Sequence, residues 1–107
     1  MSGEAIGLAI GLGLIPLLAP RIATGAAVDR LRAAIEDGKA GRENDFLVHS
    51  KAALAHLTDA GTARRDPNAF EALIRLKAAI DSAEQKQMAA ATKHAERALA
   101  LLEAVTG

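Results

Sequence analysis

Arg30-Leu31-Arg32-Ala33-Ala34-Ile35-Glu36 returns 45 positions later as Arg75-Leu76-Lys77-Ala78-Ala79-Ile80-Asp81. Five of the seven positions are identical and the other two keep their charge. The same offset carries His49 onto His94, Ala53 onto Ala98, Leu54 onto Leu99, Ala55 onto Ala100 and Leu57 onto Leu102. A self-match of this length reads as one supersecondary unit used twice. Apolar residues recur at helical spacing inside it, so the unit reads as a helical hairpin. Two hairpins give an all-α fold, an antiparallel four-helix bundle over 26–107, preceded by an apolar N-terminal helix.

Composition agrees. The 107 residues suit one small domain, and half of them are apolar, with two Phe and no Trp or Tyr. A core of Ala, Leu and Ile between close helices fits this, and a β-sandwich does not, because β-branched and aromatic residues are scarce. Lys plus Arg and Asp plus Glu both number 13, which leaves no excess of base for nucleic acid. The absence of Cys excludes disulfides, thiolate metal sites and Cys nucleophiles.

The spacing predicts a first helix from about Ala26 to Asp37, carrying Ala27, Val28, Leu31, Ala34 and Ile35, with Gly38 as its cap. A second helix runs from about Glu43 to Ala60. Asn44 or a neighbour caps it, its apolar face holds Phe46, Leu47, Leu54 and Leu57, and Gly61 stops it. Gly61 to Asp66 reads as the longest loop. Asp66-Pro67 starts a third helix, with Asn68 and Glu71 as an alternative capping box one step inside. Its expected core residues are Phe70, Leu73, Ile74, Leu76 and Ile80. A fourth helix carries Met88, Ala91, Ala95, Leu99, Leu102 and Val105. No Gly or Pro separates Asp81 from Met88, but the offset places Ala83-Glu84-Gln85-Lys86 on the Gly38-Lys39-Ala40-Gly41 turn, and a break is expected there.

Residues 1–25 form an apolar membrane segment, uncharged from Ala5 to Ala19. As helix, that run reaches roughly 23 Å, short of the roughly 30 Å hydrocarbon core. Continuation to Val28, with Arg21 snorkelling, would span it. Three readings fit: a retained anchor, an export signal with small residues at Ala23 and Gly25 or at Gly25 and Ala27, and an apolar helix buried against partner subunits. Gly7 and Gly11 would admit a second transmembrane helix at close range. Arg21, Arg30 and Arg32 follow the segment and no basic residue precedes it, which taken alone places the bundle in the cytoplasm.

Catalytic constellations are absent. No Gly-rich phosphate loop precedes a helix, there is no His-Glu-x-x-His, and Ser2, Ser50 and Ser82 lack a nucleophile elbow. The chain reads as non-enzymatic. The chemistry-bearing groups that remain are His49, His56 and His94. Asp45, His49, His56 and Asp59 form one row along the second helix, roughly 110–130° from the apolar centre. Imidazole and carboxylate one turn apart can share Cu²⁺, Ni²⁺ or Zn²⁺. His49 and His56 are about 10 Å apart along the axis, so any sites are separate, two-ligand and weak. His94 needs a group from another helix. Rim histidines beside aspartates are also ordinary surface, and the row alone does not separate the two readings.

Gly38-Lys39-Ala40-Gly41, His49-Ser50-Lys51-Ala52-Ala53-Leu54-Ala55-His56 and Ala91-Thr92-Lys93-His94-Ala95-Glu96-Arg97-Ala98 together resemble the small metal-binding proteins of bacteria. The resemblance covers about Leu31 to Val105. It implies an exported His-rich four-helix bundle that binds divalent metals, copper especially, with His49, His56 and His94 at family His positions. This chain is His-depleted: Asp37, Arg42, Asp81, Ser82 and Leu101 stand where relatives carry His. The combined expectation is an envelope protein, membrane-associated through residues 5–28, with a periplasmic bundle that holds a metal weakly at Asp45, His49, His56, Asp59 and His94. The alternative expectation is a membrane-anchored accessory or scaffold subunit that meets other transmembrane subunits through Gly7 and Gly11.

Overall fold

The computed structural model describes residues 25–105. Among them the regular structure is all helical: α1 over 25–39, α2 Glu43–Ala60, α3 Thr62–Arg65, α4 Pro67–Glu84 and α5 Met88–Glu103. The expected apolar segment, including Gly7 and Gly11, lies outside the described residues up to residue 24. Among the described residues no helix is long and apolar enough to cross a membrane.

One cap geometry closes both α1 and α4. At the end of α1 the Arg42 N–H donates to the Asp37 carbonyl at 2.8 Å and the Gly41 N–H to the Gly38 carbonyl at 3.2 Å. At the end of α4 the Gln87 N–H donates to the Ser82 carbonyl at 2.8 Å and the Lys86 N–H to the Ala83 carbonyl at 3.0 Å. Both are Schellman motifs, which require a left-handed residue at the turn. Gly41 takes it at φ 77° and Lys86 at φ 65°. The expected break between Asp81 and Met88 is therefore present, without the glycine that marks its counterpart.

Gly38 does not cap α1, contrary to the sequence expectation; it is helical, and Gly41 holds the left-handed position. What Gly38 provides is space. A Cβ there would collide with Thr92 Oγ1 on α5 and stand 3.2 Å from Phe46 Cδ1 on α2. Nor does Asn44 cap α2: Arg42 is the N-cap and makes no side-chain capping bond. Gly61 ends α2 in the left-handed conformation as expected. The segment after it is a helical turn, α3, because nothing between Gly61 and Pro67 prevents the Arg64 N–H from reaching the Gly61 carbonyl at 3.1 Å. Asp66 caps α4 by accepting from the Asn68 and Ala69 N–H groups at 2.8 and 3.3 Å, with Pro67 in the first turn. The Asn68/Glu71 box does not form; Glu71 pairs instead with Arg75 at 3.3 Å.

The core is built from small side chains. Ala27, Leu31, Ala34 and Ile35 of α1, Phe46, Ala53 and Leu57 of α2, Ala72, Leu76, Ala79 and Ala83 of α4, and Ala91, Ala95, Ala98 and Leu102 of α5 form one buried cluster. Each fully buried Leu contributes about 1.5–3 kcal/mol, whereas the alanines chiefly allow helices to approach closely. Positions 45 apart share their burial: Leu31 and Leu76 are both 0% exposed, Ile35 and Ile80 both 7%. Phe46 is the largest fully buried side chain, and the offset places only Ala91 opposite it. On α4 the expected face is corrected. Phe70 and Ile74 are exposed, and Ala69, Ala72 and Ala79 hold the buried positions beside Leu76 and Ile80. The Ser50 hydroxyl is buried on α2 with no partner among the described residues.

Ion pairs lace the helix edges. Arg32 meets Glu103 at 2.8 Å and Lys39 meets Glu96 at 3.5 Å, so rising numbers on α1 face falling numbers on α5. Lys51 meets Glu84 at 3.4 Å and Glu43 meets Lys86 at 2.8 Å, the same sense between α2 and the end of α4. Being solvated, each is worth at most about 1 kcal/mol, so they fix register more than stability.

The left-handed Lys86 is strained in a way Gly41 is not. Lys86→Ala and Lys86→Gly both lose the Glu43 pair, so Lys86→Gly should be the more stable of the two by about 0.5–1 kcal/mol in urea titration, and Gly41→Ala should be less stable than wild type by about 1 kcal/mol. A Lys86→Gly variant less stable than Lys86→Ala would contradict the strain assignment.

Candidate functional site

Asp37 occupies the last turns of α1, one residue before the glycine that meets α5. That position draws its side chain inward, to 7% exposure. A carboxylate buried this far must be partnered. Oδ1 accepts from Arg42 Nε at 3.1 Å and Nη2 at 2.9 Å, and Oδ2 lies 2.7 Å from His49 Nδ1. Burial alone would raise the Asp37 pKa. The hydrogen bonds from His49 and Arg42, with the Arg42 charge, outweigh it and hold the carboxyl below its ordinary 3.8. The turn makes this possible, because the same cap that bonds the Arg42 N–H to the Asp37 carbonyl returns the Arg42 side chain to the Asp37 carboxylate.

His49 stands on α2 with its side chain 30% exposed. Its Nδ1 is engaged by Asp37, and no hydrogen bond reaches its Nε2 among the described residues. Asp45, expected to serve as its partner, is exposed and lies 3.7 Å from Arg42 Nε. Arg42 thus sits between Asp37 and Asp45. His56 is half-buried and Asp59 exposed farther along the same unbroken helix. His94 is half-buried on α5. Among the described residues no hydrogen bond or ion pair joins His56, Asp59 or His94 to a partner, and no three His, Cys, Asp or Glu side chains converge on a point. The donor chemistry therefore fits loose ligation by one imidazole, with at most one neighbouring carboxylate, completed by water, and not a closed four-ligand site.

Sequence reading did not single out the Asp37–His49 pair; Asp37 entered it only among the positions where the resemblance implies His. The signal was the hairpin itself: folding the chain back at Gly41 brings Asp37 within reach of His49, 12 residues later. A cleft of about 600 Å³ lies elsewhere, lined by Leu57, Pro67, Phe70 and Leu73 with Arg64 and Asp66 at its rim. It is mainly apolar, and none of the three histidines lines it.

A family model described as small metal-binding protein matches residues 4–105. No curated protein matches the chain.

Because the Asp37 carboxyl is held below 3.8, its contribution to stability is present above about pH 4 and is lost as pH falls through the lower folded value. Asp37→Asn should be less stable than wild type at pH 6 by about 1–3 kcal/mol, the loss expected for hydrogen bonds to a buried charge. That gap should narrow on acidification below about pH 4 in urea titrations. A gap independent of pH would mean that the charge plays no part.

Proposed function

We infer, for a chain that belongs to the small metal-binding protein family, that it is a non-enzymatic envelope protein that binds a divalent transition metal weakly through histidines on a helical bundle. The observation that carries the reading is the family match over residues 4–105, taken with a half-exposed His49 ring held by a buried carboxylate. The bundle is an antiparallel four-helix one. The opposed numbering of the Arg32–Glu103 and Lys39–Glu96 pairs, and of the Lys51–Glu84 and Glu43–Lys86 pairs, supports it, as does the single core shared by α1, α2, α4 and α5.

The ligands are His49 with Asp45, His56 with Asp59, and His94, each site completed by water. Cu²⁺ is the ion best retained, since imidazole sites of a given geometry bind it most tightly among the divalent first-row ions. Ni²⁺ and Zn²⁺ follow. A chain this poor in His binds fewer ions than a His-rich relative, and its histidines on α2 are too far apart for one ion. The bundle is periplasmic, as the family resemblance implies, and associates with the membrane through the segment that precedes α1, whose uncharged run from Ala5 to Ala19 supports the membrane contact. The Gly7 and Gly11 spacing supports a second role, as an accessory subunit packed against partner transmembrane helices.

The decisive variant replaces His49 and His56 by Ala together. Isothermal titration with Cu²⁺ should lose most of its binding heat while the far-ultraviolet circular dichroism stays unchanged. An unaltered titration would remove both α2 sites from the account.

A further inference from the structure

We propose that Asp37 is a positioning residue for metal binding: its buried carboxylate accepts the Nδ1 proton of His49, turns the ring, and leaves the Nε2 lone pair as the donor to a divalent transition ion. The inference rests on the metal-binding reading and deepens it, because it assigns which histidine binds best, through which nitrogen, and why. Its basis is geometric. His49 Nδ1 lies 2.7 Å from Asp37 Oδ2, the carboxylate is 7% exposed, and Arg42 anchors the other oxygen through two donors. Asp37 is buried and already accepts three hydrogen bonds, two at Oδ1 and one at Oδ2, so it acts as a support for a ligand rather than as a ligand itself. A neutral imidazole carries one N–H and one lone pair. When Nδ1 donates to carboxylate, the tautomer is fixed and Nε2 is left basic and bare, an arrangement characteristic of metal-ligating histidines.

The second half of the chain lacks this device. The 45-residue offset puts Ser82 in the place of Asp37, Gln87 in that of Arg42 and His94 in that of His49. Neither replacement carries charge. Among the described residues His94 accepts or donates no hydrogen bond that would set its ring, and the same holds for His56. The three histidines are therefore unequal: His49 is the preorganised donor, and His56 and His94 bind only as ordinary surface imidazoles.

Long-range ¹H–¹⁵N correlation spectra of the full, metal-free chain, recorded at a pH where the rings are neutral, test this without any variant. His49 should show the Nδ1–H form, and His56 and His94 the Nε2–H form usual for free imidazole. In Asp37→Asn, His49 should move toward Nε2–H, and its Cu²⁺ affinity should fall about 10–100-fold, the range for loss of an outer-shell partner. Asp37→Ser, which copies the second half of the chain, should bring the two halves level. An Nε2–H ring at His49 in a chain that binds copper would overturn this inference alone. So would an Nδ1–H ring whose copper affinity ignores Asp37→Asn. An Nδ1–H ring in a chain that retains no copper would overturn the metal-binding reading, and with it the donor role of Nε2.

Discussion

Helices lined with alanine gain little from burial unless they come close together, and that closeness constrains everything else in the molecule. Among the described residues ten of the buried apolar residues are alanines, so the helices pack mainly through small side chains rather than through large interlocking ones. One such close approach is at Gly38, where α1 meets Thr92 of α5 and the Phe46 ring of α2 with no room for a methyl group. Phe46 is the one bulky side chain in that part of the core, and the missing side chain at Gly38 accommodates it.

An electrostatic constraint lies beside this contact. Asp37 precedes Gly38 on α1, and its own side chain is buried. A buried carboxylate is tolerable only when both oxygens are satisfied, and the Schellman turn supplies Arg42 for one while α2 supplies His49 for the other. Packing, turn geometry and the orientation of a single imidazole thus form one chain of causes. The surface pairs along the helix edges set register and add little else. In the second half Ser82 stands where Asp37 does, a residue that can stay half-exposed without a partner, and the matching histidine is left unsupported.

Local, strongly patterned features were legible in the sequence. The twin stretches at Arg30 and Arg75 placed two helices with matching buried positions. Gly61 and Asp66-Pro67 marked a stop and a start that the structure keeps. The break before Met88, invisible from composition, is marked by the self-match and by Glu84, which would fall on the apolar face of an unbroken helix. On α4, size is a poor guide to burial. Phe70 and Ile74 read as core because they are large, yet at an alanine interface the residue that fits is the small one, and both are exposed. Gly38 reads as a cap because glycine usually ends helices, while here it makes room. The Asp37–His49 pair joins two helices, and no periodicity within one helix reveals it. The row from Asp45 to Asp59 could be seen from spacing along α2, but which nitrogen of which ring is held could not.

The central claim is that a metal ion goes first to the histidine whose ring is already set. Paramagnetic broadening by sub-stoichiometric Cu²⁺, followed residue by residue in amide ¹H–¹⁵N spectra of the full chain, measures it directly. The account predicts that signals around His49 on α2 and around Asp37 on α1 disappear before those around His56 and His94. Simultaneous broadening at all three histidines, or first loss at His94, would contradict it.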